Sequence, residues 1–170
     1  MGGTDRRSGK GTNLEILHRT AVKAFAAQRA SQPWVLVVDD DPVTARALSR
    51  VLSTRTGARV AIVRAVDAAL RLVAGATEPP VLAVLDFELR HGETGLNVLL
   101  SLRASGSDVP CVFHTGVPVR AAAALEASRL GRAYPIFAKG LALGELVAWV
   151  QGIVAGATSR SGTHRRVVTS

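Results

Sequence analysis

The chain alternates short apolar runs with longer segments that have helical character. Apolar runs rich in Val, Leu and Ile predict strands that are buried on both faces of a sheet. The predicted strands are Val35–Val38, Arg59–Val63, Val81–Leu85, Pro110–His114 and Ile136–Ala138. The predicted helices are Pro42–Ser53, Val66–Ala74, Gly95–Ala104, Val119–Ser128 and Leu143–Ala155. Five strand–helix units predict an α/β fold, in which a five-stranded parallel sheet is doubly wound by helices on both faces.

The two ends of the chain differ in composition from the segment that holds these units. The first twelve residues are mostly Gly, Ser, Thr and charged residues, which predicts disorder. Apolar residues then recur at three- and four-residue steps over 13–28, with Asn13 as a candidate N-cap, and this pattern predicts a helix. We therefore divide the chain into a basic, partly helical N-terminal extension (1–33), one domain (34–156) and a disordered basic tail (157–170).

Most of the formal net charge of +8 belongs to the two ends. Residues 1–33 hold six Lys/Arg and two acids (+4), and residues 157–170 hold three Arg and no acid (+3). The twelve basic and eleven acidic residues of 34–156 nearly cancel, leaving +1. The basic ends lack interleaved aromatic residues and a recognisable reading motif, so the sequence does not favour nucleic-acid binding.

Hydropathy and cysteine content indicate the compartment. No uninterrupted apolar stretch approaches the ~20 residues needed to cross a bilayer, and the polar N-terminus does not resemble a secretory signal. The single cysteine, Cys111, cannot form an internal disulfide, which fits a reducing environment. We therefore expect a cytoplasmic protein that does not associate with membranes.

Acidic residues follow two of the predicted strands. Asp39, Asp40 and Asp41 come directly after the first strand, and Asp86 comes directly after the third. Asp41 stands before Pro42 and is the natural N-cap of the next helix, which leaves the other three carboxylates without a structural role. The carboxyl ends of parallel strands share one edge of the sheet, so these carboxylates are expected to converge there on a cation.

Thr115 after the fourth strand and Lys139 after the fifth complete a set of five residues at this edge. The set Asp39, Asp40, Asp86, Thr115 and Lys139, in this order and at these spacings, resembles the receiver domain of bacterial two-component response regulators. The resemblance covers about residues 34–156. It implies a flavodoxin-like strand order of 2-1-3-4-5, with the N-terminal helical extension outside the sheet.

The resemblance also implies a role for each residue. Asp86 would be the phosphoacceptor, and Mg²⁺ would be held by Asp40 directly, by Asp39 through water, by Asp86 and by the backbone carbonyl of Glu88. Lys139 would place its charge on a phosphoryl oxygen. The hydroxyl of Thr115 would bind a second phosphoryl oxygen only in the active state, which shifts the population towards that state.

The expected function is that of a single-domain response regulator. A histidine kinase or phosphotransfer protein would supply the phosphoryl group, and a downstream protein would read the result. The chain would not be an enzyme beyond catalysing its own phosphorylation and dephosphorylation. The 14 residues after 156 are too few for a DNA-binding domain, and the sequence leaves homodimer formation open.

Departures from the family pattern keep a second function open. Gly140 follows Lys139 where the family usually has a cis proline, and Ile136 stands where it usually has a switching aromatic residue. These two changes favour a pseudo-receiver, an interaction module with little or no phosphorylation. A third and weaker alternative is a hydrolase of the haloacid dehalogenase type, in which Glu88, two residues after Asp86, would act as general acid.

Overall fold

The computed structural model describes residues 32–128, 130, 131 and 133–164. The predicted N-terminal helix over 13–28, like the rest of residues 1–31, lies outside the described residues. The end of the predicted tail, residues 165–170, lies outside them as well.

Five parallel strands form one sheet in the order β2-β1-β3-β4-β5. The strands are β1 (Trp34–Val38), β2 (Arg59–Val63), β3 (Leu82–Leu85), β4 (Cys111–Thr115) and β5 (Ile136–Ala138). The helices are α1 (Pro42–Thr56), α2 (Val66–Gly75), α3 (Gly95–Ala104), α4 (Pro118–Ala127) and α5 (Leu143–His164). The predicted fold class and strand order are confirmed.

The helices cover the two faces of the sheet unequally. One face carries a core formed with α2, α3 and α4, to which Leu36, Leu85 and Phe113 contribute from the strands. The other face packs on α1 and α5, and Val37 and Val84 point into that core. Because the central strands are buried on both faces, nearly every residue in them is apolar, and this is why the apolar runs could be recognised in the sequence.

The element boundaries agree with the predicted ones to within a residue or two, except at two helix ends. Helix α1 continues three residues past its predicted end, to Thr56. Helix α5 continues nine residues past Ala155, so the prediction of a disordered tail is wrong for residues 157–164. The Thr158 and Ser159 hydroxyls donate to the carbonyls of Val154 and Ala155, so these polar residues are accommodated within the helix.

Along the described part of the chain, no helix is both long and apolar enough to cross a membrane. The five residues predicted to form the site lie at the edge of the sheet where β1, β3, β4 and β5 end.

Candidate functional site

The three acids after β1 separate into a helix cap and two pocket residues. The Asp41 carboxylate accepts hydrogen bonds from the backbone N–H groups of Val43 and Thr44, at 3.1 and 3.2 Å, and from the Thr44 hydroxyl. These bonds, the one from the hydroxyl first, lower the pKa of Asp41. The predicted cap is therefore confirmed, and Asp39 and Asp40 remain for the pocket.

Asp86, at the end of β3, lies beside these two carboxylates. One oxygen from each of Asp39, Asp40 and Asp86 falls within a common span of 4.8 Å. Asp39 and Asp86 are buried, and Asp40 is partly exposed. Strand register explains the convergence, because β1 and β3 are neighbours that pair Val38 with Leu85 immediately before their acids.

Lys139 supplies a positive charge to the buried pair. Its Nζ lies 2.8 Å from Asp39 Oδ2 and 2.7 Å from Asp86 Oδ2. Its backbone N–H donates to the Thr115 carbonyl at 2.9 Å, which extends the β4–β5 ladder and aims the side chain into the pocket. No peptide bond in the described residues is cis, so the Lys139–Gly140 bond is trans, and Gly140 takes a φ of 79°.

Burial and ion pairing act in opposite directions on these groups. Burial raises the pKa of Asp39, and the hydrogen bond and charge of Lys139 offset only part of that rise. Burial would lower the pKa of Lys139, but its bonds to Asp39 and Asp86 outweigh burial and raise the pKa. Lys139 therefore stays charged, and its ammonium neutralises the carboxylates of Asp39 and Asp86, which can then lie close together.

Thr115 reaches the same edge of the sheet, but its hydroxyl is bonded elsewhere. The side chain is fully buried, and its Oγ1 accepts a hydrogen bond from the Val117 N–H at 3.1 Å. Within the described residues, no hydrogen bond joins this hydroxyl to the acids. Of the five predicted residues, the three acids and the lysine therefore come together, and Thr115 lies buried at the same edge of the sheet.

The loop after Asp86 is held in place by contacts at several points. The N–H of Gly95 donates to the Phe87 carbonyl at 3.0 Å, and a β-carbon on Gly95 would lie only 2.2 Å from the Asp86 carbonyl oxygen. Glu88 forms an isolated bridge with Thr94, and its carboxylate pairs with Arg120 at the start of α4. The Glu88 side chain is therefore turned towards α4, and only its backbone remains a candidate ligand.

Sequence reasoning missed two arginines beside the pocket. Arg90 Nε lies 3.1 Å from Asp40 Oδ2, and Arg120 forms the ion pair with Glu88. Arg90 lies in the turn after β3 and Arg120 lies in the first turn of α4, and neither position is marked by the apolar periodicity of the sequence. The sequence carries no signal for these pairs, because Arg90 and Asp40 are 50 residues apart.

His114, next to Thr115, is buried with both ring nitrogens unpaired among the described residues. Burial, and secondarily the charge of Lys139, lowers the pKa of this histidine, while the charge of Asp39 opposes the shift. The imidazole is therefore held neutral behind the pocket, in agreement with the prediction of a packed histidine.

The donor atoms suit a hard divalent cation. Three carboxylates from two strands offer oxygen only, and Asp40 leaves the cluster open to solvent on one side. Mg²⁺ prefers such a set, because it binds a few carboxylate oxygens and keeps several waters. The residues present therefore fit Mg²⁺.

Comparison with known proteins agrees with this geometry. A family model described as the response regulator receiver domain matches residues 35–151. No curated protein matches the sequence.

Several solved structures share the fold. The PhyR response regulator REC domain of Erythrobacter litoralis is 22% identical, with a TM-score of 0.57 over 73% of this chain and 91% of that one. The non-phosphorylated HemR receiver domain of Leptospira biflexa is 24% identical, with a TM-score of 0.60 over 73% and 95%. The phosphorylated cyanobacterial phytochrome response regulator RcpA is 20% identical, with a TM-score of 0.57 over 72% and 91%. At these identities the likeness establishes the fold alone.

Proposed function

The chain belongs to the response regulator receiver domain family, and from that premise we propose that it accepts a phosphoryl group on Asp86 in a Mg²⁺-dependent reaction. A histidine kinase or phosphotransfer protein would be the donor, and the phosphorylated domain would signal through contacts with a downstream protein. We place this exchange in the cytoplasm, where a reduced Cys111 is expected.

The observation that carries the proposal is the contact between Lys139 and Asp86. The Asp86 carboxylate lies at the edge of the pocket, 8% exposed, with the Lys139 ammonium 2.7 Å from one of its oxygens. This lysine needs to move only from the carboxylate to an incoming phosphoryl oxygen to neutralise it. A buried carboxylate with a movable cation beside it is what attack on an anionic phosphorus requires.

The reaction is a transfer between two nucleophiles. An Asp86 carboxylate oxygen attacks the phosphorus of a phosphohistidine, the new O–P bond forms, the P–N bond breaks, and the neutral imidazole leaves after taking up a proton. Asp39, Asp40, Asp86 and the Glu88 carbonyl would hold Mg²⁺, which supplies further neutralisation of the phosphoryl oxygens. The chain's own part is to orient the carboxylate and to keep Lys139 charged.

Thr115 would carry the signal. Its hydroxyl, which now accepts a hydrogen bond from Val117, can still donate its own proton to a phosphoryl oxygen. Forming that bond would draw the Thr115–Val117 turn and the start of α4 towards Asp86. The phosphoryl group would thereby favour one arrangement of α4 over another.

Phosphorylation with a small-molecule donor tests the proposal. The chain is incubated with Mg²⁺ and acetyl phosphate, and intact mass is measured. We expect the mass to increase by one phosphoryl group. When EDTA is added before the donor, this increase should not occur. Asp86→Asn is the matched variant and should not gain mass, while Asp67→Asn, which alters an exposed acid of α2, should behave as the wild type. Mass gain that persists in Asp86→Asn would contradict the assignment.

A pseudo-receiver remains the second candidate, and specific observations favour it. Lys139 is engaged by two acids at once, and Ile136, partly buried against the core, offers no aromatic ring that could switch with Thr115. In that case the fold would serve as a binding module. The absence of any mass gain, together with no spectral change on adding beryllofluoride and Mg²⁺, would decide for this function.

A further inference from the structure

We infer that the positively charged side chain of Arg90 competes with the divalent metal for Asp40. The inference rests on the proposed function, because it takes Asp40 to be a metal ligand. It goes further by assigning to this chain a residue that sets how tightly the metal binds.

The direct observation is the ion pair at the open side of the pocket. Arg90 Nε donates to Asp40 Oδ2 at 3.1 Å, and Asp40 is one of the three carboxylates whose oxygens converge within 4.8 Å. An oxygen that accepts from a guanidinium cannot give the same lone pair to a metal ion. Arg90 and a metal ion therefore compete for the negative charge of this carboxylate, and Arg90 must withdraw wherever the metal takes Oδ2 itself.

Arg90 is held near Asp40 by the shape of its loop. Arg90 begins a short 3-10 turn that ends at Gly92, in which His91 and Gly92 take positive φ values of 60° and 76°. The turn is closed by hydrogen bonds from the Leu89 N–H to the Glu93 carbonyl (3.1 Å) and from the Glu93 N–H to the Arg90 carbonyl (3.2 Å). Buried Leu89 anchors the turn in the core, so the backbone at Arg90 is fixed.

The side chain of Arg90, in contrast, can leave at low cost. The side chain is 68% exposed, and among the described residues one hydrogen bond, from Nε, holds it to a carboxylate that is 21% exposed. Exposed pairs of this kind are weak and are screened by salt. The guanidinium can therefore swing into solvent when a metal ion arrives, while its backbone stays in place.

Charge counting shows what the arginine contributes. Asp39, Asp40 and Asp86 carry three negative charges, and Lys139 and Arg90 return two positive charges through their ion pairs. The net charge of the pocket is therefore −1 when Arg90 is paired with Asp40, and it is −2 when Arg90 has moved away. The arginine thus stabilises the metal-free pocket and lowers its attraction for a cation.

Metal binding to the full chain tests the inference directly. The dissociation constant for Mg²⁺ is measured by calorimetry at low ionic strength for the wild type and for Arg90→Gln. We expect the variant to bind about fivefold more tightly, which corresponds to ~1 kcal/mol at about 1.4 kcal/mol per tenfold change. The difference should shrink as salt is added, because the ion pair is exposed.

Two other arginines provide matched controls. Arg120→Gln removes the same charge from the neighbouring pair with Glu88, and Arg71→Gln removes it from the exposed pair with Asp67 on α2. Both variants should bind Mg²⁺ within about twofold of the wild type. Equal tightening by Arg90→Gln and Arg120→Gln would mean that overall charge is responsible, and it would overturn the inference.

A second measurement follows Arg90 without any substitution. The Arg90 Nε–H resonance is recorded by NMR during a MgCl₂ titration, with the Arg71 resonance as internal reference. We expect the Arg90 signal to move towards the position of a solvent-exposed arginine as the metal saturates, and the Arg71 signal to stay. An Arg90 signal that does not move while Mg²⁺ binds would overturn the inference.

The outcomes separate this inference from the proposed function. Mg²⁺ binding and Asp86 phosphorylation that are normal in the wild type, with unchanged affinity in Arg90→Gln, would overturn the role of Arg90 and leave the function standing. Binding that appears only in Arg90→Gln would support the competition and count against a metal-dependent wild type. No binding in either protein would defeat both.

Discussion

At the scale of single residues, charge neutralisation explains why acids can be buried at this edge. Asp39 and Asp86 come from different strands and share one ammonium, that of Lys139. A compact ammonium with three donors can serve two carboxylates at once, and its flexible stem lets it turn from one partner to another. A lysine therefore suits the proposed function, in which the same ammonium would later turn to a third anion, the phosphoryl group.

His114 gives a prediction at the same scale, from the lowered pKa of its buried imidazole. Between the lower folded-state pKa and the unfolded value of 6.5, the unfolded chain binds a proton that the folded chain does not. Stability should therefore fall as the pH drops below about 6.5, by at most ~1.4 kcal/mol per pH unit from this residue.

Urea unfolding of wild type and His114→Met between about pH 7.5 and about pH 5 measures this effect, because the range brackets the ordinary pKa of a histidine side chain. We expect the variant, which has no titrating group at this position, to lose less stability over the range. His91→Gln, at an exposed loop position, is the control and should follow the wild type. Parallel pH curves for all three proteins would show that His114 is not the group responsible.

At the scale of elements, the junction between β3 and α3 positions Asp86, the proposed phosphoacceptor. Helix α3 starts at Gly95, where the backbone passes so close to Asp86 that a β-carbon would meet its carbonyl oxygen at 2.2 Å. Thr94 caps the helix through the N–H of Asn97, and the Asn97 side chain accepts from the Thr94 N–H in return. The loop between Asp86 and α3 is therefore held at two places, by the 3-10 turn at Arg90–Gly92 and by the cap at the start of α3.

Gly95→Ala should consequently disturb both stability and the site. Because the clash is with the backbone, relief requires α3 or Asp86 to move, and we expect a loss of about 2–4 kcal/mol in the free energy of unfolding. Labelling of Asp86 by acetyl phosphate should fall as well. Denaturant titration and intact mass measure the two effects.

Gly152→Ala is the matched control for this substitution, since Gly152 lies within α5 with nothing within 4 Å of its added β-carbon. It should stabilise the chain by about 0.5–1 kcal/mol through helix propensity. Equal effects of the two substitutions would refute the role given to the close approach at Gly95.

At the scale of the whole molecule, the pocket is a product of the strand order. Placing β3 beside β1, with β4 and β5 following, brings Asp39, Asp86 and Lys139 together across up to a hundred residues of sequence. The same arrangement puts like charges next to each other. The fold therefore depends on Lys139 for part of its stability, apart from any reaction.

Lys139→Met should expose that dependence. Removal of the ammonium leaves Asp39 and Asp86 close together without their shared partner, and we expect a loss of about 2–3 kcal/mol in the free energy of unfolding near pH 7. The loss should shrink at acid pH, because protonation of Asp39, whose pKa is raised by burial, removes the repulsion. Urea titrations near pH 7 and at acid pH measure the free energy of unfolding of the variant and of the wild type.

Arg71→Met breaks an exposed pair on α2 and provides the comparison. It should cost well under 1 kcal/mol at either pH. A Lys139→Met variant as stable as this control would show that the pocket carries no net repulsion.

The sequence alone was enough to predict the order of elements and the family. Apolar runs buried on two faces have a composition that can be recognised without structure, and the acids that end β1 and β3 stand out against them. Asp41 could be separated from Asp39 and Asp40 because a cap before proline is a local signal. These features depend on neighbours in the chain, so the chain itself records them.

Tertiary structure decided how the pocket is neutralised. Arg90 pairs with Asp40 and Arg120 pairs with Glu88, and each pair joins segments that are distant in sequence. The direction that a long, exposed side chain takes is not recorded in the apolar pattern of the chain. The sequence likewise did not predict that α5 extends to His164, because the polar composition of its last residues is typical of a disordered tail. Local patterns thus determined which groups reach the sheet edge, and only packing in three dimensions determined which charge each group meets there.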